Sequence, residues 1–336
     1  MILTTFLVAL LGAMAIGVPI AFSLLISGAA LMWQLDLFDS QILAQNLING
    51  ANSFPLLAVP FFMLAGEIMT VGGLSRRIVD FAMVLVGHVK GGLGYVTIIT
   101  ACLMAALSGS AVADAAAMTA LLLPMMVAAG HDRKRSAGLI ASAGIIAPVL
   151  PPSIGLIIFG VSANVSISKL FMAGIFPGLM MGLALWATWF YLVRRENVTP
   201  QPRKSLKDVW VAAREASWAL GMPVIIIVGL RFGVFTPTEA AVVAAVYSWF
   251  VSAFIYRELS LRALYKVFAN SAKVSAVIML LVAAAMVSAW LITVAGLPDR
   301  MVGLLEPLIS EPMLLMIAAM ILVVLVGTAM DMSPPS

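Results

Sequence analysis

The chain has one cysteine, Cys102, and two histidines, His88 and His131. A single thiol closes no intramolecular disulfide, and so few thiol and imidazole groups leave metal or thiol chemistry almost nothing to work with. Cys102 reads as a packing residue, and no cofactor is expected. Charge is equally scarce: Asp, Glu, Lys and Arg make up 10% of the 336 residues, where soluble domains average about 25%. The first 33 residues carry neither a basic n-region nor an A-x-A cleavage signature, so no removable signal peptide is expected. The net charge of +4 comes from Lys and Arg grouped in short loops, as membrane insertion requires. Nucleic-acid binding gains no support from it.

What the chain does have is apolar sequence, 63% of its residues, with a mean hydropathy of +1.12. A span takes about 20 apolar residues. Ile2 to Trp33 is over-long and holds Gly17 and Pro19, so it is one kinked span or two short ones. Phe54 to Met69 follows a polar connector, and the segment from Arg76 to Lys90 reads as interfacial. Ser136 to Leu150 reads as a short helix broken by "PPS" at Pro151, Pro152 and Ser153, then continued by Ile154 to Val161. Leu170 to Val193, Trp218 to Leu230, Ala240 to Tyr256 and Val274 to Ala295 read as further crossings. The polar stretch from Arg194 to Glu215 holds six Lys or Arg and is placed in the cytoplasm by the positive-inside rule. Both histidines adjoin basic loops and are expected to be solvated.

Against this background "SGSAVADAA", Ser108 to Ala116, is out of place. It separates two apolar legs, Leu93 to Leu107 and Ala115 to Ala129, each too short to span comfortably. If the two legs form a re-entrant hairpin, Arg76, Arg77, Lys90 and Arg133 to Arg135 all fall on the cytoplasmic face; one full crossing would split them. Irregular backbone at membrane depth is tolerated where protein buries it or where it lines an aqueous cavity. Helix N-termini there attract a carboxylate, while C-terminal carbonyls and hydroxyls suit a cation such as sodium. Ser108, Ser110 and Asp114 offer such oxygens around Gly109. The plain alternative is a helix break capped by Ser and Asp. Pro151 and Pro152 likewise remove backbone donors and mark a second discontinuous helix, or an ordinary proline kink.

"VGTAMDMSP", Val326 to Pro334, repeats the chemistry of the first break: Gly327, Thr328 and Asp331 against Gly109, Ser110 and Asp114. The charge pattern has Met313 to Val326 entering from outside, opposite to the first hairpin. Two such breaks approached from opposite faces are the trace of an inverted repeat, whose interface near mid-depth is where secondary transporters bind substrate and ions. Ser288 and Thr293 could add oxygens there or bond back to their own helix. The "TPTE" box, Thr236 to Glu239, reads as a helix start.

These stretches, with "PFFMLAGEIM", "GHVKGGLGYV", "IIAPVLPPSIGLIIFGV" and "FTPTEAAVVAAVYS", resemble the large membrane subunit of TRAP transporters, the tripartite ATP-independent periplasmic family, over nearly the whole chain. The likeness is greatest to the sugar-acid branch, to which 2,3-diketo-L-gulonate permeases belong. It implies an all-α polytopic inner-membrane protein of bacteria, an inverted-repeat elevator with re-entrant hairpins, working as a sodium-driven symporter. The implied partners are a small membrane subunit, a periplasmic substrate-binding protein, an organic acid, sugar-derived or dicarboxylic, and the lipid bilayer. The implied substrate and ion residues are Ser108, Gly109, Ser110, Asp114, Pro151, Pro152, Ser153, Ser288, Gly327, Thr328 and Asp331, with sodium at Ser108, Ser110, Asp114, Thr328 and Asp331. The expected division is scaffold helices over 1–90, first hairpin and broken helix over 91–165, scaffold over 166–260, a helix and span over 261–312, and the start of a second hairpin over 313–336. In the family that second motif is followed by a return leg and a further proline break. Their absence before Ser336 leads us to expect an incomplete second hairpin and a transport-defective form.

Two other classes are weighed. An intramembrane serine protease needs a His meeting a buried Ser, and both His flank surface loops; an aspartyl type needs two facing carboxylates, for which Asp114 and Asp331 are a conceivable pair. An ion channel would show a repeated pore helix or charged ring, and neither is legible.

Overall fold

The computed structural model describes residues 2–109, 111–194, 198, 200, 202–296, 298 and 311–329. Among these residues the secondary structure is helical throughout, with fourteen α-helices and no strand. In lipid each backbone group must find its partner within its own segment, which a helix achieves and an open sheet does not. Five helical stretches are long and apolar enough to cross a bilayer: Phe54–Val71, Ile167–Val193, Leu206–Arg231, Pro237–Ile255 and Leu261–Val294. The chain is an all-α polytopic membrane protein.

Contacts divide it into two units, residues 1–53 with 276–336, and residues 54–275. In the first unit the over-long apolar run resolves into two short helices, α1 (Ile2–Ala15) and α2 (Ile20–Gln34). Gly17 turns the chain at φ +85° and Pro19 withholds an N–H, which together end one helix and start the next. Asp39 caps α3 (Ser40–Ala51) by accepting from the Gln41 N–H at 2.7 Å. Phe6, Leu31 and Met32 pack with Val287 and Leu291 from the far part of a 34-residue helix, Leu261–Val294.

In the second unit a 3-10 turn, Phe54–Leu57, leads into α4 (Ala58–Val71). Next comes α5 (Leu74–Val86), whose Leu74, Ile78, Val79 and Ala82 are buried while its charged residues point away from them. Four helices of the candidate site follow, α6 (Gly92–Ser108), α7 (Ala111–Ala128), α8 (Arg133–Gly144) and α9 (Ile154–Ser162), then α10 (Ile167–Val193) and α11 (Leu206–Arg231). The polar stretch before Glu215 is therefore only partly a loop. Ser205 and Asp208 form a reciprocal capping box that starts α11 twelve residues before Trp218. The helix α12 (Pro237–Phe250) starts as the sequence indicates: Thr236 Oγ1 accepts from the Glu239 N–H at 3.3 Å, and the Glu239 carboxylate accepts from the Thr236 N–H at 2.8 Å. It passes into a π-helical turn, Val251–Ile255, and then into α13 (Leu261–Val294). The last described helix is α14 (Pro312–Ala329).

Side-chain contacts join the basic segments in pairs that the charge rule assigns to one face. Arg77 forms an ion pair with Glu258 at 2.8 Å and lies 3.7 Å over the Tyr256 ring. The Tyr256 hydroxyl donates to the Glu215 carbonyl at 2.5 Å. Lys90 Nζ donates to the Arg194 carbonyl at 3.1 Å.

Candidate functional site

The helix α6 (Gly92–Ser108) and the helix α7 (Ala111–Ala128) are separated at Gly109, which takes φ +61°. A left-handed residue ends a helix with least strain when it is glycine. The chain then reverses. Both open ends of this hairpin lie against one residue of α10, Trp189: its Nε1 donates to the Gly91 carbonyl at 2.9 Å, and its ring centroid lies 5.4 Å from that of His131. A Cβ at Gly94 would run into the same indole. The two legs thus enter and leave at one level, as a re-entrant hairpin does. This contact also corrects the expectation for His131, which is buried at 5% exposure rather than solvated. Its basic sequence neighbours gave no hint that an indole 58 positions away covers it.

The second break is longer than the sequence indicates. The helix α8 (Arg133–Gly144) ends six residues before Leu150, and turns carry the chain from Ile145 to the cis Pro151–Pro152 bond. Pro148, Pro151 and Pro152 lack the N–H groups that would continue the ladder. Ser153 ends the interruption: fully buried, it donates to the Pro148 carbonyl at 2.6 Å and accepts from the Leu156 N–H at 3.4 Å, capping α9 (Ile154–Ser162).

The two breaks meet. A Cβ at Gly109 would lie 3.0 Å from the Pro152 carbonyl oxygen and 3.3 Å from the Ile154 nitrogen. One at Gly144 would lie 3.0 Å from Ala115 Cβ and 3.1 Å from the Ala111 carbonyl oxygen. Two helix N-termini, those of α7 and α9, and two C-termini, those of α6 and α8, therefore converge on a few residues. The N-termini carry partial positive charge and the C-termini partial negative charge. Asp114, on the first turn of α7, is 2% exposed.

α10 serves as a depth gauge. Gly182, Gly178 and Gly174, four residues apart on one face, let it approach closely: a Cβ at Gly182 would lie 2.9 Å from Cys102 Sγ, one at Gly178 2.6 Å from Leu150 Cγ, and one at Gly174 would strike the Val149 carbonyl. From Trp189 to Gly178 and Gly174 the helix rises about 16 and 22 Å, so the second break lies that far along α10 from the base of the hairpin. This glycine stripe escaped the sequence reading, although its spacing of four was the signal for it.

The structure brings Gly109 together with Pro152 and Ser153, and seats Asp114 on the helix that starts beside them. Ser108 is the last residue of α6; its side chain and all of Ser110 lie outside the described residues. Ser288 belongs to the other unit, where its hydroxyl donates to the Leu24 carbonyl of α2 at 3.3 Å. Thr293 bonds back to the Ala289 carbonyl at 2.9 Å. Gly327 and Thr328 are on α14, and Asp331 lies outside the described residues.

Comparison with known proteins identifies the family. Residues 7–335 match the family model of the DctM component of the tripartite ATP-independent periplasmic transporter. The chain is 57% identical over 329 residues to the 2,3-diketo-L-gulonate TRAP transporter large permease protein YiaN of Escherichia coli (strain K12), covering 98% of this chain and 77% of that protein. It is 38% identical over 311 residues to the C4-dicarboxylate permease DctM of Pseudomonas aeruginosa, with 93% and 73% covered. It is 34% identical over 321 residues to the sialic acid permease SiaM of Vibrio cholerae, with 96% and 75% covered. The protease and channel alternatives give way to a transport family that is not enzymatic, and the chain belongs to it: it is a TRAP transporter large permease.

Proposed function

We propose that this permease serves the import of a sugar-derived organic acid across the bacterial inner membrane by sodium symport, with a small membrane subunit and a periplasmic binding protein that delivers the acid; accumulation in the test below would overturn the transport-defective expectation for this form. The observation that carries the reading is the meeting of the Gly109 break with the Pro152–Ile154 break. Helix N-termini at α7 and α9 give an anionic substrate partial positive charge without a fixed basic side chain. Backbone carbonyls, the Ser108 and Ser110 hydroxyls and the Asp114 carboxylate give sodium hard oxygen ligands. Gly327, Thr328 and Asp331 are proposed to supply the same chemistry from the second motif, in an elevator built on inverted repeats. The 57% identity to a 2,3-diketo-L-gulonate permease makes that acid the first substrate to try.

The test is uptake of labelled 2,3-diketo-L-gulonate into proteoliposomes holding the permease with its partner subunits. An inward sodium gradient is expected to drive accumulation, a potassium gradient is not, and Asp114→Asn is expected to weaken the sodium response. Equal uptake with either gradient would rule out the sodium coupling.

A further inference from the structure

Two helices that start in the second unit are longer than a bilayer needs. α11 has 26 residues and α13 has 34, about 39 and 51 Å against a hydrocarbon layer of about 30 Å. The hydrogen bond from the Tyr256 hydroxyl to the Glu215 carbonyl ties the chain just before α13 to a point ten residues into α11. The start of α13 therefore follows, within five residues, a point held against α11 in the same unit.

The composition of these ends is unlike that of solvent-facing helix. Trp210 is 73% exposed and Tyr265 is 76% exposed. Interleaved with them are Lys207, Arg214, Arg262 and Lys266, all exposed. The nearby acids are outnumbered: Glu258 is paired with Arg77, and Asp208 and Glu215 stand against these four cations. Exposed aromatic rings beside an excess of cations, on helices that leave the hydrocarbon, fit the headgroup layer. There Trp and Tyr rest at the interface, and each cation gains from negatively charged lipid.

We infer that the starts of α11 and α13 form a docking surface for anionic phospholipid headgroups, in the leaflet that the charge rule identifies as cytoplasmic. Charge complementarity selects the occupant. A protein partner would have to neutralise the cations while leaving the two rings in contact with its own surface, whereas a phosphatidylglycerol layer supplies both phosphate and glycerol–acyl boundary. The surface lies on the scaffold side chains of α11 and α13 and uses none of the residues proposed to bind sodium or substrate.

The experiment is the thermal melt of the purified full chain in neutral detergent, with added phosphatidylglycerol, phosphatidylcholine or glycerol phosphate. Phosphatidylglycerol is expected to raise the melting temperature, and the other two are not. The quadruple variant Lys207→Gln, Arg214→Gln, Arg262→Gln, Lys266→Gln is expected to need at least about tenfold more phosphatidylglycerol for the same rise, while melting as the wild type does in phosphatidylcholine. Arg231→Gln, at the other end of α11, is expected to respond as wild type, which separates a local surface from a general charge effect. Added salt is expected to weaken the response. A rise of equal size with phosphatidylcholine, a rise with glycerol phosphate alone, or an undiminished response in the quadruple variant would overturn the inference. None of these readouts depends on uptake, so the inference and the proposed transport function fail separately.

Discussion

The two interruptions at the candidate site do the same job by different chemistry. At Gly109 a single left-handed residue turns the chain back on itself, so the second leg returns to the level of the first. At 145–153 three prolines withhold N–H donors over nine residues, and the chain continues onward into α9. Glycine gives a sharp reversal whose cost is conformational; proline gives an extended interruption whose freed carbonyls must find new donors. Ser153 answers that need for Pro148 at 2.6 Å. A site that must offer both helix starts and helix ends within a small volume is well served by one break of each kind.

The contrast is open to attack at four points. Gly109→Val should have the largest effect, because a branched side chain meets both the φ of +61° and the Pro152 carbonyl; a loss of about 3 kcal/mol in a denaturant or thermal melt is expected, with uptake abolished. Asp114→Asn removes a charge without changing shape, so the expected outcome is a nearly unchanged melt together with a roughly tenfold rise in the sodium concentration for half-maximal uptake. Gly178→Leu should force Leu150 from its seat against α10 and cost about 1–3 kcal/mol, which a melt would register while the Gly109 reversal stays in place. Ser153→Ala should be the mildest, about 1 kcal/mol for a lost cap, seen as faster amide exchange at the start of α9. If Ser153→Ala proved worse than Gly109→Val, the glycine break would not be the critical one.

Much of this was legible because local chemistry writes itself into short motifs. The Thr236–Glu239 box and the Gly109 break needed only a few adjacent residues to recognise. The start of α11 was equally local, in Ser205 and Asp208, but the surrounding Lys and Arg disguised it as loop. The early end of α8 was hidden because Ile145, Ile146, Val149 and Leu150 are as apolar as a helix would be; only Pro148 among them signals the turn. His131 was beyond reach, since its burial depends on Trp189, far along the chain. The meeting of Gly109 with Pro152 is likewise a tertiary fact. The sequence names both breaks and says nothing of their distance.

Trp189 holds both legs of the hairpin at their base, with a hydrogen bond to one and a ring contact to the other. A pair of tongs riveted at the handle end can flex only toward its points. Any small displacement of the hairpin is thereby concentrated at Gly109, and the indole, fixed at the rivet and flanked by an imidazole, is an intrinsic fluorophore well placed to register strain passed down either leg.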